Sequence, residues 1–411
     1  MIPKTACTAA VAVTGLGATT PLGGDVATTW AALLAGESGV RALDEEWPPE
    51  VPVRIAARLR VEPAQVLDRV VLRRLDRAQQ AALIAAREAW TAAGRPEVDP
   101  DRLAVVIGTA VGGVLTVLGQ DDVLETAGAR RISPYAVPMM MPNGSAATVS
   151  IELGARGGAF TPASSCAAGA EALATGLDLI RQGRADVVLA GGAEACIHPL
   201  PVSAFAQARV HSRRNDAPAA ASRPFDRARD GLVFGEGAAV LVLERAEFAA
   251  ARGARVHAEL AGAAVTSDAH HITTGSTPGQ VRAIRRALAD AGVTPRQIEL
   301  VHAHATATEL GDLIEARSIA EAVGTHPAVT ATKSMTGHLF GAAGALGALV
   351  TVLGVREGIA PITRNLEELD PRVPLDVVAG EPRRGAFRAA LANAFGFGGH
   401  NAALVFTKAA G

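Results

Sequence analysis

The residues best suited to chemistry in this 411-residue chain are one cysteine and two histidines. Cys166 follows a run of small residues at 161–165 and precedes an alanine-rich amphipathic stretch at 168–181, which predicts a helix. Unpaired backbone N–H groups and the helix dipole favour a thiolate at such a helix start. A small buried cysteine is the competing interpretation, and the local setting leaves the two interpretations about even.

His304 and His338 each stand where an apolar run of strand type ends. In α/β proteins the ends of strands carry ligand-binding residues. Taken alone, each histidine is more often a satisfied core residue. Metal ligation has little support, since no second ligand stands at a matching spacing on one helix face, and the adjacent His270 and His271 point apart on regular structure. The sequence therefore predicts no metal site.

Short apolar runs rich in β-branched residues alternate with alanine-rich stretches of helical character. The pattern predicts an α/β fold with largely parallel sheets that are buried on both faces. A weak seam near 249–253 divides the chain into halves at 1–250 and 251–411. The predicted strands are 11–14, 105–107, 187–189, 240–243, 300–302, 329–332, 389–394 and 402–406, and the clearest predicted helices are 79–93, 168–181 and 280–291.

Composition narrows the function. A net charge of −2 and an aromatic content of 3% argue against a nucleic-acid-binding protein. Three cysteines predict no disulfide framework and a reducing cytoplasm, with Cys7 and Cys196 structural. The amino-terminal residues run directly into a strand, so we expect no signal peptide. The uncharged segments 339–355 and 132–151 are interpreted as a buried helix and a buried irregular segment, not as bilayer spans.

Several motifs occur together along nearly the whole chain. They are Val13-Thr-Gly-Leu-Gly, Gly191-Gly-Ala-Glu, Ser222-Arg-Pro-Phe-Asp-Arg-Ala-Arg-Asp-Gly-Leu-Val-Phe-Gly-Glu-Gly, Thr332-Lys-Ser-Met-Thr-Gly-His and Asn393-Ala-Phe-Gly-Phe-Gly-Gly-His-Asn. In this order around a Cys–His–His set, they resemble the elongating β-ketoacyl-acyl-carrier-protein synthases of the thiolase-like family. The resemblance implies two similar halves stacked as five αβαβα layers, usually as a dimer.

The resemblance also implies roles in catalysis. Cys166 matches the nucleophile that accepts the acyl chain, and His304 and His338 match the two catalytic histidines. Lys333 and Glu315 match the charged residues that order the histidine neighbourhood. Phe397 matches a gating phenylalanine whose backbone N–H forms an oxyanion hole with that of Cys166.

Such a set suits decarboxylative condensation. A thiolate can accept an acyl group from a thioester without a strong base. Loss of CO2 from a malonyl thioester leaves an enolate, whose oxygen needs hydrogen-bond donors, and two neutral imidazoles can supply them. The enolate then attacks the acyl group on Cys166.

The resemblance further assigns substrate contacts and partners. Residues assigned to the substrate or its pantetheine arm are Thr306, Thr308, Met139, Thr273 and Phe395. The arginines assigned to docking of an acidic carrier protein are Arg69, Arg73, Arg74 and Arg77, for which a solvated helix face is an equally good interpretation. The chain needs no cofactor of its own, because the 4′-phosphopantetheine belongs to the acyl carrier protein.

Two departures from the family pattern concern the pocket. Ala305 replaces a usual glycine, so either its methyl group reshapes the pocket or the backbone there has a negative φ. The run 139–141 of three methionines either lines an adaptable acyl pocket or simply fills the core.

Three other assignments are weaker. A non-catalytic chain-length subunit would lack Cys166, a thiolase would carry a second cysteine within 396–401, and starter-unit synthases use Cys–His–Asn. The pathway stays open between fatty acid elongation and polyketide or polyene assembly, with Ala305 and the methionines favouring specialised metabolism slightly. The assembly also stays open, between a homodimer and a heterodimer with a chain-length-factor homologue.

Overall fold

The computed structural model describes residues 9–43 and 47–409; Cys7 lies outside them. The strands are β1 (Val11–Thr19), β2 (Arg41–Ala42), β3 (Ile55–Ala56), β4 (Leu103–Gly108), β5 (Ala159–Phe160), β6 (Val187–Glu194), β7 (Gly237–Arg245), β8 (Ala258–Ser267), β9 (Leu300–His302), β10 (Ala328–Thr330), β11 (Ile359–Ala360), β12 (Asp376–Val377), β13 (Arg383–Arg384), β14 (Ala389–Gly396) and β15 (His400–Thr407). The helices are α1 (Val26–Leu34), α2 (Arg69–Leu72), α3 (Arg77–Ala92), α4 (Val114–Ala127), α5 (Ala136–Met140), α6 (Gly144–Leu153), α7 (Ala168–Arg181), α8 (Pro199–Gln207), α9 (Ala246–Ala251), α10 (Thr277–Ala291), α11 (Glu309–Ala322), α12 (Lys333–Thr336) and α13 (Ala343–Glu357).

The strand order repeats between the two parts of the chain. One part runs β5-β4-β6-β7-β1 and the other runs β10-β9-β14-β15-β8, with β12 added at the outer edge. The two sets join where β1 meets β8, through two residue pairs. The predicted boundary between residues 250 and 251 falls within α9, which separates the two sets in sequence.

The expectation of largely parallel sheets is wrong, because the pairing is mixed. The pairs β4·β5, β4·β6, β9·β10 and β9·β14 are parallel, whereas β1·β7, β6·β7, β14·β15 and β8·β15 are antiparallel. A tight turn at 397–399 joins β14 to β15 and forces them antiparallel. Apolar runs predict burial on both faces, but they do not fix strand direction.

Five layers result from the packing. Helices α7 and α13 contact strands of both sets and form the middle layer, α3 and α6 cover one set, and α10 and α11 cover the other. Alternate residues of β6 face different cores: Val188 and Ala190 join the middle core, whereas Val187 and Leu189 pack against α3. These strands are therefore buried on both faces, as predicted.

The two uncharged segments behave differently. The stretch Phe340–Glu357 is long and apolar enough to cross a membrane, with a mean hydropathy of 1.3, but 89% of it is buried inside the protein. It contains the buried helix predicted at 339–355. The expectation that 132–151 is buried is wrong in part, because α5 and α6 expose Val137 (59%) and Ile151 (82%). This segment lies at an outer face, where apolar residues remain uncovered.

Candidate active site

Cys166 lies in a short 3₁₀ turn, Ser165–Ala167, directly before α7. The helix start predicted beside this cysteine is therefore present. Ser165 has φ +55°, a left-handed conformation that is uncommon for a non-glycine residue. This strained turn presents the half-buried Cys166 thiol to a cavity of about 400 Å³.

The two histidines meet the sulfur from the other half of the chain. Nε2 of His338 lies 3.0 Å from Sγ of Cys166. The His304 and His338 ring centroids are 5.4 Å apart and nearly perpendicular. Residues separated by more than 130 positions in sequence are thus brought to one point by the stacking of the two halves.

Hydrogen bonds fix which ring nitrogen carries a proton. The Phe340 N–H donates to Nδ1 of His338 at 3.3 Å. The Lys333 ammonium lies 3.5 Å from Nδ1 of His304 and also donates to the His304 carbonyl. Because each Nδ1 faces a donor, each neutral ring carries its hydrogen on Nε2. His338 directs that N–H at the cavity beside Cys166.

The hydrogen-bond donors that face both Nδ1 atoms also oppose the binding of a metal ion. Sγ of Cys166 and one ring nitrogen each of His304 and His338 lie within 4.8 Å of one another, close enough to ligate a cation. A metal-bound imidazole needs an acceptor for its other N–H. Here the other nitrogens face Lys333 and the Phe340 amide, which are donors. The absence of a catalytic metal stays a prediction, which this geometry supports.

Burial sets the protonation states. It holds the pKa of His304 and His338 well below the usual range, and the charge of Lys333 acts in the same direction. Burial also lowers the pKa of Lys333 to about 8, against the opposing influence of Glu315. Two neutral imidazoles therefore stand beside an ammonium group at neutral pH.

The pKa of the Cys166 thiol is not lowered, although its position at a helix start predicts that it would be. Burial raises the pKa of Cys166 to about 12, although Lys333 and the N–H groups of Phe397 and Cys166 itself act to lower it. Desolvation of the charged form thus outweighs the helix terminus. The protonated thiol is therefore the favoured form of Cys166 at neutral pH.

Glu315 supports the loop that carries His304. Its buried carboxylate accepts the N–H groups of His304 (2.7 Å) and Ala305 (2.6 Å) and an N–H of Asn393 (3.2 Å). Ala305 has φ +22°, so the interpretation that its backbone has a negative φ is wrong. The methyl group is accepted in a conformation that favours glycine, because the Glu315 carboxylate holds the loop.

The cavity wall collects most of the predicted substrate residues. Thr306 and Thr308, whose hydroxyl oxygens are 3.0 Å apart, line it together with Thr273, Phe395 and Phe397. Phe397 is 37% exposed, and its ring stacks on that of Phe205 with the centroids 6.0 Å apart. Its backbone N–H faces the Cys166 sulfur, where an oxyanion hole needs a donor.

Met139 is the exception, and its assignment to the substrate pocket needs correction. It lies on α5, outside the cavity that the described residues enclose, and its carbonyl accepts an N–H of Gln79 at 3.0 Å. Helix α5 packs on α4 and α6. The family resemblance assigned Met139 to the pocket, but the path of the chain decides which surface the residue joins.

Three of the four predicted docking arginines are exposed, whereas the fourth is paired within the protein. Arg69, Arg73 and Arg74 are exposed, and Arg74 lies over the ring of Tyr135. Arg77 instead makes paired hydrogen bonds to Glu236 and Glu62. Its guanidinium is occupied within the protein, so Arg77 is removed from the predicted docking surface.

Sequence reasoning missed two residues near the histidines. Phe340 stacks on His338 with centroids 4.6 Å apart, and its φ of +43° has no signal in the sequence. Glu194 is fully buried near Cys166, and although its Gly-Gly-Ala-Glu motif was recognised, no role followed from it.

Comparisons with known proteins agree with this geometry. The family model "Beta-ketoacyl synthase, N-terminal domain" matches residues 8–249, and its C-terminal counterpart matches residues 257–367. A 3-oxoacyl-[acyl-carrier-protein] synthase 2 of Mycobacterium tuberculosis is 47% identical over 404 residues, which is 97% of each chain.

Solved structures give the same result. The ishigamide ketosynthase/chain length factor is 34% identical, with a TM-score of 0.92 over 98% of this chain and 100% of that one. A type II polyketide synthase carrier protein in complex with its hexaketide-bound ketosynthase gives a TM-score of 0.89 at 30% identity, over 98% of this chain and 100% of that one. The predicted thiolase-like fold is confirmed.

Proposed function

This chain belongs to the β-ketoacyl synthase family and is an acyltransferase-class enzyme, and we propose that it condenses malonyl units with an acyl chain held on Cys166. The observation that carries this proposal is the set of Nε2 hydrogens that Lys333 and the Phe340 amide fix on His304 and His338. Nε2 of His338 lies 3.0 Å from the sulfur and one ring nitrogen of His304 lies within 4.8 Å of it, where an enolate would form.

The first step is acyl transfer. The sulfur of Cys166 attacks the carbonyl of an acyl thioester on a carrier-bound 4′-phosphopantetheine. The old C–S bond breaks, and the thiol proton of Cys166 ends on the released pantetheine thiol. The N–H groups of Cys166 and Phe397 donate hydrogen bonds to the tetrahedral oxyanion that lies between them. This step uses the turn before α7 and needs no metal or redox partner.

The second step is decarboxylation and condensation. The C–C bond to the malonyl carboxylate breaks, CO2 leaves, and the electron pair forms an enolate that accepts hydrogen bonds from His304 and His338. Its carbon attacks the acyl carbonyl, the C–S bond to Cys166 breaks, and the leaving thiolate takes up a proton from solvent. The neutral imidazoles favoured by burial suit this step, since they donate without transferring a proton.

Intact-mass measurement tests the first step. Incubation with acyl-loaded carrier protein is expected to add one acyl group to the wild-type chain and none to Cys166→Ala. Condensation retained in Cys166→Ala would overturn the proposal. Cys196→Ala is the matched control, because Cys196 is a buried cysteine that is expected to leave loading unchanged.

We propose the exposed Arg69, Arg73 and Arg74 as a docking surface for an acidic carrier. Arg73→Glu combined with Arg74→Glu is expected to raise KM for carrier-bound substrate and leave kcat nearly unchanged, with an effect that shrinks in salt. Arg296→Glu, at an exposed position in the other half, is the control. An unchanged KM in the double variant would exclude this surface.

We propose the open edge of β5, with the apolar side chains of α4 to α6, as the contact with a second copy of this chain. β5 pairs only with β4 in the described sheet, and Val137, Met140 and Ile151 are exposed nearby in sequence. Identical edges can pair across a two-fold axis. Sedimentation of the purified chain should show a dimer that Ile151→Glu weakens. A monomer that is active only with a cysteine-less homologue would indicate a heterodimer instead.

We propose elongation in fatty acid synthesis, in the cytoplasm, as the cellular setting. The identity to 3-oxoacyl-[acyl-carrier-protein] synthase 2, at 47%, exceeds the 30% identity to the type II polyketide synthase ketosynthase. Mass spectrometry of the products formed from saturated acyl chains and from poly-β-keto chains tests this choice. Preferred turnover of the keto chains would favour the polyketide pathway.

A further inference from the structure

The turn that presents Cys166 has a counterpart in the other half of the chain. The 3₁₀ turn Phe340–Ala342 precedes α13 as Ser165–Ala167 precedes α7. The sequences Cys166-Ala-Ala-Gly-Ala and Gly341-Ala-Ala-Gly-Ala correspond, and the residue before each has a positive φ, +55° for Ser165 and +43° for Phe340. Gly341 therefore occupies the position of the nucleophile.

The strand ends that meet these two turns differ. At the Cys166 turn, Phe397 after β14 contributes an N–H, and the site can receive an oxyanion. At the Gly341 turn, the last residue of β6 is Glu194, and its Oε2 accepts the N–H groups of Gly341 (3.0 Å) and Ala110 (2.5 Å). Two backbone donors thus converge on one oxygen, as in an oxyanion hole, but a carboxylate of the protein itself fills it.

The turn that Glu194 binds is in direct contact with His338. Phe340 precedes Gly341; its N–H donates to Nδ1 of His338, and its ring stacks on the imidazole. The positive φ of Phe340 costs free energy, so it persists only where neighbouring contacts hold the turn. The hydrogen bond from Gly341 to the fully buried Glu194 is such a contact.

We propose that Glu194 is a positioning residue for condensation: by holding the Phe340–Gly341 turn, it orients His338 with its Nε2 hydrogen toward the reacting atoms. This inference rests on the proposed function of His338. Glu194 does not touch substrate and acts through Phe340. It further links the loop after β4, because Thr109 Oγ1 donates to its Oε1 at 3.0 Å.

The charge of Glu194 gives a second readout. Burial raises the pKa of Glu194 to about 7, so the group is mostly ionised at pH 8. Its negative charge raises the pKa of Cys166, which the Lys333 ammonium opposes, and it acts on the buried Cys196 as well. Removing the charge should make Cys166 more reactive, whereas removing the hydrogen bonds should make condensation slower.

The variants Glu194→Gln and Glu194→Asp separate the two effects at pH 8. Glu194→Gln replaces one acceptor oxygen by an NH2 group, which must face a backbone N–H of Gly341 and Ala110 or of Val111. It should therefore lower kcat for condensation by about 10- to 100-fold, with KM for carrier-bound malonyl substrate nearly unchanged. Iodoacetamide alkylation of Cys166, followed by peptide mass, should become about threefold faster or more. Glu194→Asp keeps the charge with a shorter reach, so it should slow condensation without faster alkylation.

Glu88→Gln is the matched control, since Glu88 also accepts two backbone N–H groups but outside the cavity. Condensation in Glu194→Gln within about twofold of wild type would overturn the inference. Equal losses in Glu88→Gln, or a matching rise in KM, would do the same. If Glu194→Gln does not fold, unchanged condensation in Glu194→Asp would decide against it. Intact-mass acyl loading of Cys166 is scored in each variant, so failure of the proposed function itself appears as lost loading.

Discussion

The turns before α7 and α13 share a backbone conformation but differ in the chemistry that their residues can perform. Each is a 3₁₀ turn led by a non-glycine residue with positive φ, and each opens a helix of the middle layer. At the first, a cysteine stands against backbone N–H groups that face its own sulfur. At the second, a glycine N–H is bound to Glu194. The repeated half supplies the same turn conformation twice, with a cysteine at the first turn and a glycine at the second.

The largest expected effect is on decarboxylation, and it distinguishes the histidines of one half from Cys166 of the other half, which is needed for acyl loading. Replacing His304 or His338 by alanine should lower decarboxylation by about 100-fold or more, since each replacement removes a hydrogen-bond donor to the enolate. Acyl loading of Cys166 should persist, because the turn before α7 keeps its own donors. Release of CO2 and intact mass measure the two steps. His326→Ala, on a histidine bonded to the Ile298 carbonyl, is the control; undiminished decarboxylation after loss of both site histidines would exclude their assigned role.

The next prediction concerns how closely the second turn is packed. A Cβ added at Gly341 would lie 2.5 Å from Cα of Thr109 and 2.6 Å from N of Ala110, so the backbone must move. Gly341→Ala should lower the free energy of unfolding by about 1–3 kcal/mol, measured by urea denaturation. Gly119→Ala, on α4 with open space around it, should not lower it. Equal stabilities of the two variants would show that the second turn tolerates a side chain as the first does.

A smaller effect distinguishes the electrostatics of the first turn. Because the pKa of Cys166 is raised to about 12, the thiolate fraction should grow about tenfold for each unit of rising pH, with no plateau near the usual thiol value of about 8.5. The alkylation rate measured between pH 7 and 10 reports this. Lys333→Met should slow alkylation at pH 7, where the ammonium stabilises the thiolate, and change it little at pH 10, above the Lys333 pKa of about 8. A plateau below pH 9 would mean that the helix start dominates after all.

The smallest effect tests the strain in the first turn. Ser165→Gly removes the cost of a positive φ but adds freedom to the unfolded chain, so the free energy of unfolding should stay within about 1 kcal/mol of wild type. Acyl loading should be retained. Ser203→Gly, within helix α8, should be destabilising by contrast. A larger loss in Ser165→Gly than in Ser203→Gly would mean that the serine side chain holds the turn.

Local sequence patterns predicted helix starts and burial better than they predicted the directions of the strands. The helix start at Cys166 and the burial of α13 followed from patterns of small and apolar residues, which depend on neighbours along the chain. Strand β8 and the antiparallel pairs were not foreseen, because an apolar strand buried on both faces looks alike in either direction. Met139 and Arg77 were misplaced for a related reason: residue type does not say which surface a side chain joins.

The sequence by itself determined the reactive residue types and their order: a cysteine before a helix, two histidines after strands, and a lysine and a glutamate near them. Only the tertiary structure decided their states. It placed Nε2 of His338 3.0 Å from Sγ, turned both Nδ1 atoms toward donors, and enclosed the thiol in a cavity whose walls desolvate it and raise its pKa. Hydrogen-bond direction and desolvation depend on groups brought together from distant parts of the chain, so no local pattern encodes them.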